Sequence, residues 1–400
     1  MSVTTSQPAA DKSVVVLTLL AVMAISLFVH HEFNVRQSVL FLVGIGFGIT
    51  LFHAAFGFSG SWRTFIRSRR SASVRAQVLL LAGTSILFFP LIGQLFPGIH
   101  VAGAVAPFSM SVLVGAFLFG VGMQLGGGCG SGTLFTVGGG NTKMLITLAF
   151  FIVGATVGSV HLPWWLALPN QGKISLIQQM GWVPALLLQL LVLAGLYYIV
   201  KAVEKKRYGE VKHLVSHQQQ RPFLDRLVFG PWPLLWAVIA LIVLNLITML
   251  VSGHPWSIVF AFGLWGTKIW TALGGDISTW SYWNAGYPAR ALASSVLEDT
   301  TSLMDFGLIL GAVLAAALAG KFAPDKKIKL NEVITAVIGG LLLGYGARLA
   351  FGCNIGALLA GVSSGSLHGW LWLVAAFVGN IAGVYLRIGF KLDSPLGKTS

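Results

Sequence analysis

Between Arg75 and Lys143, between Arg226 and Lys268, and between Arg348 and Arg387, this 400-residue chain carries no formal charge of either sign. A single membrane-spanning helix needs only about 20 apolar residues. Each stretch therefore holds two crossings, or one crossing plus a segment that enters and turns back, because lipid tolerates unpaired backbone only where protein or water covers it. With 56% hydrophobic and 10% charged residues, the chain lies far from the soluble average of about 25% charged. Its fold class is read as an all-α membrane protein, a polytopic helical bundle. Eleven candidate spans follow, the first at residues 13–29, the eighth at 255–273 and the last at 368–389.

The net charge of +14 raises the question of nucleic acid, and its distribution answers it. Sixteen of the 26 basic residues fall in three loops. Arg63, Arg67, Arg69, Arg70 and Arg75 form one; Lys201, Lys205, Lys206, Arg207, Lys212, Arg221 and Arg226 the second; Lys321, Lys326, Lys327 and Lys329 the third. Basic residues in short loops between spans mark the cytoplasmic side, so the charge is an orientation signal and no nucleic-acid partner is expected. The start MSVTTSQPAADK lacks the basic region of a cleaved signal peptide. The first span is expected to be retained, with the N-terminus cytoplasmic, in a bacterial inner membrane.

Aligned on itself, the chain shows a duplication. GVGMQLGGGCGSG at residues 120–132 matches GYGARLAFGCNIG at residues 344–356 at a constant offset of 224. Four glycines, one leucine and the cysteine coincide, and after a one-residue shift Gly154 pairs with Gly379 and Gly158 with Gly383. Glycine at every fourth position lets helices approach closely. The implied organisation is an extra N-terminal span over 1–36, a first membrane repeat over 37–200, a cytoplasmic basic linker over 201–232, a second repeat over 233–390 and a tail over 391–400. Each repeat carries a re-entrant Gly-Cys segment. Counting crossings against the basic loops fails between Pro255 and Ser302 unless something there returns to its own side. If it does, the two repeats are inverted, with short broken helices holding a substrate near the midplane.

The two cysteines cannot build a disulfide framework, and both lie in apolar segments. So many glycines around Cys129 destabilise a continuous helix by about 1 kcal/mol each. They free the backbone to bend and expose N–H groups that attract anions at the start of a half-helix. A buried cysteine alone reads as small apolar filler; two at equivalent repeat positions, each preceded by glycine, read as lining a path. Gly128, Gly130 and Thr133 belong with Cys129, and Gly352 and Asn354 with Cys353. A thiol is a weak donor, suited to holding a polarisable anion loosely enough to let it leave.

At these residues the chain resembles the YeeE/YedE family of bacterial sulfur-transport membrane proteins, which includes thiosulfate importers. Its members carry GGC-x-x-G in one half and G-x-G-A-R-L-A-x-GCN in the other, and this chain reads GGCGSG at 127–132 and GYGARLAFGCN at 344–354. The resemblance covers about residues 41–385. It implies an hourglass of inverted repeats whose thiols relay a sulfur anion by transient hydrogen bonds. One departure stands out. The family's C-[LF]-T-x-x-F-R-D appears as GFSGSWRT at 57–64, so Gly57 replaces a relay cysteine and Thr64 the acid, while Trp62 and Arg63 keep the aromatic–arginine pair. Ser59 is a substitute donor.

Arg348, five residues before Cys353, is a functional candidate because charge within a span is costly; its plainer role is a helix-end arginine on carbonyls. Lys268 invites the same two readings. Glu298, Asp299 and Asp305 read as partners of Arg290 or as coupling groups, and His53 as a packing residue or a lining donor. No P-loop, HExxH or Cys–His metal spacing occurs, so no enzyme activity, cofactor or metal is expected. The reading is uptake of a small sulfur-containing anion through a lipid bilayer, with a cytosolic sulfur-carrier protein as a conceivable partner. Two alternatives stay open: a path for another small solute such as a selenium oxyanion, and a membrane sulfurtransferase carrying a cysteine persulfide.

Overall fold

The computed structural model describes residues 10–214, 222–324 and 328–395; Arg221, Lys326 and Lys327 lie outside them. The chain forms α1 (Lys12–Glu32), α2 (Val35–His53), α3 (Phe58–Ser68), α4 (Ala72–Ile92), α5 (Met110–Gly126), α6 (Gly130–Gly138), α7 (Thr142–Ala167), α8 (Leu176–Met180) and α9 (Trp182–Tyr208). After the linker come α10 (Phe223–Phe229), α11 (Leu234–Ser252), α12 (Val259–Ala272), α13 (Gly286–Ala293), α14 (Thr300–Leu318), α15 (Leu330–Leu349), a π-helical turn (Asn354–Leu359), α16 (Ala360–Ser363) and α17 (Leu367–Gly389). A two-stranded ribbon, β1 (Pro107–Ser109) with β2 (Asn170–Lys173), is antiparallel. Among the described residues ten helical stretches are long and apolar enough to cross a membrane, so the chain is a polytopic helical membrane protein. α1 and α9 are mostly exposed, with side chains such as Leu17 and Leu191 facing outward, as suits lipid.

Local sequence sets the breaks. Asn34, Ser109, Asn141 and Asp299 cap α2, α5, α7 and α14 through their side chains, satisfying amides that a helix start leaves free. Gly127 ends α5 with φ +93°, a conformation that costs glycine little.

One end of the bundle gathers the cations. Arg70 pairs with Glu204 at 3.2 Å, Arg75 donates to the Lys212 carbonyl, and Arg67 and Arg387 both reach Asp393. Gly140 abuts Ala323 and Pro324, and the Asp11 amide donates to the Ala317 carbonyl. At the far end the β-ribbon joins the start of α5 to the end of α7. α5 and α6 together therefore make one passage, broken at Gly127–Cys129.

The stretch after Pro255 returns to its own side. Arg36 and Gln37, at the start of α2, donate to the carbonyls of Ser252 and Glu298, so α11 ends and α14 begins at the same far end. Between them α12 has 14 residues, about 21 Å of helix, too short to cross a core of about 30 Å. α3, with 11 residues, returns to the basic end in the same manner. Residues 255–273, one of the eleven candidate spans, are therefore no crossing, and residues 37–58 break after His53.

The two halves interlock through glycine. α5 packs on α17, where a Cβ on Gly120 would lie 2.2 Å from the Ala376 carbonyl oxygen; α7 packs on α15, where one on Gly344 would lie 2.2 Å from that of Phe151. Gly120 and Gly344 are the aligned pair at offset 224. α2 fits α14 just as closely through Gly48 and Gly311. Aromatic rings fill the centre, including the Phe47–Trp256 stack at 3.7 Å.

Candidate functional site

The N-termini of the short helices meet in the middle of this bundle. Cys129 is the N-cap of α6, and its sulfur accepts from the Gly132 amide at 3.4 Å. Cys353 is the N-cap of the π-helical turn, with its sulfur on the Ile355 amide at 3.4 Å. Both thiols are fully buried. A Cβ on Gly130 would lie 3.0 Å from the Cys353 sulfur and 3.5 Å from Ile258, at the start of α12. The two cysteine turns and α12 thus touch at one residue that has no side chain.

A cavity of about 360 Å³ runs from Cys129 and Gly128 to Arg63 and Ser73 at the basic end, with Gly57 and Phe135 on its walls. α3 and α6 both start on it, so their positive helix ends and the Arg63 guanidinium favour an anion. Gly57, the N-cap of α3, leaves room: a Cβ there would meet only the Phe135 ring, at 3.9 Å.

Two donors expected from the sequence are already spent. The Ser59 hydroxyl donates to the Met123 carbonyl at 2.8 Å, and that of Thr133 to the Cys129 carbonyl at 2.8 Å. Buried hydroxyls inside a helical bundle find backbone acceptors before a passing solute does. Ser59 lines the cavity through its oxygen, without the free proton foreseen as a substitute for a relay thiol. Asn354 keeps both amide atoms unpartnered while fully buried, beside Cys353. Gly352 sits at φ +149°, and a Cβ there would press within 2.6 Å of the Ala357 amide nitrogen.

Arg348 does not take the plainer role of a helix-end arginine on carbonyls. It donates to the Tyr282 hydroxyl at 2.7 Å and lies over the rings of Tyr282, Phe260 and Trp283, while Nε and Nη2 have no partner. Lys268 is a brace, donating to the carbonyls of Leu292 and Ser294. His53 packs against Gly230 and the Trp232 ring, away from the cavity. Asp299 caps α14 and accepts from Tyr287, and Arg290 lies over the Tyr287 ring; Asp305 has no partner at either oxygen. Arg63 was legible in the Trp62–Arg63 pair, yet its place on the cavity wall was not.

The sequence pattern of the family described as sulphur transport matches residues 53–382, the family expected from the two glycine–cysteine motifs. The chain is similar to a thiosulfate transporter, TsuA, of Spirochaeta thermophila, with 29% identity over 360 residues, 85% of this chain and 95% of the relative. A thiosulfate transporter TsuA of Escherichia coli is 22% identical over 84% of this chain and 91% of its own length. A probable transporter, YedE, of Escherichia coli is 30% identical over 37% of this chain and 36% of its own length.

Proposed function

The chain belongs to the sulphur transport family, and from that premise we propose that it takes up a thiosulfate-like anion along a central path through Cys353 and Cys129. The observation that carries this reading is the cavity that reaches Cys129 from the basic end, one residue before Gly130, which faces the Cys353 sulfur. Next to Cys353 in the chain stands Asn354, with free amide atoms, and five residues before it Arg348, with Nε and Nη2 unpartnered. Each offers a neutral or cationic donor, and a thiol adds a weak one without the desolvation cost of a second charge. An anion is then handed between weak sites, which keeps it mobile.

The halves serve as inverted repeats in this reading. The swapped glycine crossings of α5 with α17 and α15 with α7 support it, as do α3 and α12, which return to opposite ends. The basic end is the cytoplasmic one, with Asp11 and the N-terminus on that side, in a bacterial inner membrane.

The test is uptake of labelled thiosulfate by a sulfur-starved strain carrying wild type, Cys129→Ser or Cys353→Ser. Each substitution is expected to lower uptake at least about tenfold, some 1.4 kcal/mol of transition-state stabilisation. Unchanged uptake in both ends the cysteine path. Selenium oxyanion as competitor reads the substrate range, and a covalent sulfur adduct on either cysteine in the mass of exposed protein would replace passage with sulfur transfer.

A further inference from the structure

Asp305 is a fully buried acid with no hydrogen-bond partner at either carboxyl oxygen. Its direction follows from its neighbours on α14. Met304, Leu308 and Gly311 meet α2 at Gly44, Gly48 and Ile45. Ile309 and Ala312 meet α6 at Gly138, and Ser302 and Phe306 meet Trp265 of α12. At 100° per residue, Asp305 falls between Ala312 and Ile309, facing α6 and turned from α2. It looks into the crevice between the two short helices whose starts meet Cys353.

An ionised carboxylate with no donor in a dry interior costs several kcal/mol. The charges around it do not offset that. α12 offers Lys268, committed to two carbonyls; α6 has no ionisable side chain; α2 has Arg36 and His53 only at its ends. α1 has Lys12, His30, His31 and Glu32 at its ends, α10 has Asp225 and Arg226 at the basic end, and the π-helical turn brings the Cys353 thiol. Asp299, the cap of α14 itself, adds a like charge.

Resting on the transport reading above, we propose that Asp305 is a proton-binding site that couples passage of the anion to proton movement in the same direction. A proton makes this side chain a neutral donor beside the cysteine contact, where a negative charge would repel the substrate. Anion and proton thus favour each other's binding, and the coupling is reciprocal. A chain of hydrogen bonds leads toward it from the far end: the half-exposed Tyr287 donates to Asp299 at 2.6 Å, and Ser302, one turn before Asp305, donates to the same carboxylate at 2.7 Å. The proton forms one O–H bond at Asp305 as the anion enters and leaves by breaking that bond toward the basic end. No bond to sulfur is made.

Purified protein in liposomes tests this with labelled thiosulfate, in wild type, Asp305→Asn and Asp305→Glu. In wild type, acid on the entry side is expected to raise steady accumulation by up to about tenfold per pH unit, the limit for one proton per anion, and a protonophore is expected to remove the gain. Asp305→Asn keeps a neutral donor, so it should exchange internal for external thiosulfate while its accumulation ignores the pH gradient; Asp305→Glu should keep the response. A wild type that exchanges thiosulfate but ignores the gradient overturns the proposal, even if the Asn variant fails to fold. So does an Asn variant that responds as wild type does. A wild type that neither exchanges nor accumulates thiosulfate defeats the transport reading itself, and the coupling with it.

Discussion

Cys129 and Cys353 share a backbone and differ in what surrounds it. Their φ and ψ are −93° and −168° in one case and −103° and −162° in the other, and each caps a helix that starts at the bundle centre. Cys129, however, ends a cavity that reaches the basic end, while the equally buried Cys353 has its sulfur against Gly130, close to Ile258. After Cys129 the chain continues as regular α-helix; after Cys353 it continues as a π-helical turn, a rare form frequent at functional sites. The equivalent turns thus differ in that a cavity leads from the basic end to the first of them.

The largest effect should come from breaking the equivalence at its packing. Gly120→Val and Gly344→Val each push a side chain into a facing backbone carbonyl, which cannot retreat as a side chain would. Each is expected to destabilise the protein by about 3 kcal/mol or more. Thermal unfolding in detergent and the yield of monodisperse protein report it. Two equal losses support matched crossings, whereas one tolerated variant would show that the halves are held together differently.

The access difference is the next to test. In inside-out vesicles, a charged thiol reagent should label Cys129 in a Cys353→Ala background about tenfold faster than Cys353 in a Cys129→Ala background, because reactivity follows access. Equal rates would show that the cavity gives Cys129 no advantage in access. Adding saturating thiosulfate should slow the Cys129 reaction.

Sequence showed the cysteine turns plainly, since glycine density and the repeat at offset 224 are local signals. It also showed that residues 255–302 had to turn back, because charge counting leaves no other balance. Which side chains keep free donors at the cavity was hidden. Ser59 and Thr133 read as free donors until the carbonyls of Met123 and Cys129 are seen to claim them. Asp305 read as a partner for Arg290 or as a coupling group, and only the packing of α14 between α6 and α12 leaves it without a partner. Long-range helix contacts decide these roles, and periodicity within one helix carries no record of its neighbours.

Gly57 offers a gentler test of the asymmetry, since it stands where the family pattern has a cysteine and the cavity wall has room for one. Gly57→Cys should fold normally and change thiosulfate uptake by no more than about twofold to threefold, upward, well under 1 kcal/mol in barrier terms. The new thiol should react with the charged reagent from the basic side faster than Cys129 does. A sharp fall in uptake would instead show that this chain needs the open backbone at Gly57.

The smallest effect belongs to the tail at the basic end. Hydrogen bonds from Arg387, then the charges of Arg387, Arg63 and Arg67, hold the Asp393 carboxyl below its ordinary range, against the opposing effect of partial burial. A carboxyl depressed in the folded state contributes stability above its unfolded value of about 3.9 and loses it as pH falls through the folded one. Solvent screens this partly exposed group, so the contribution is under about 1 kcal/mol. Asp393→Asn should therefore lower the unfolding temperature slightly at pH 7, with the gap to wild type closing only in strong acid. Arg63 and Arg67 lose a neutralising neighbour in that variant, so anion binding from the basic side should tighten as folding weakens. If both decline together, the tail supports the cavity wall rather than balancing its charge.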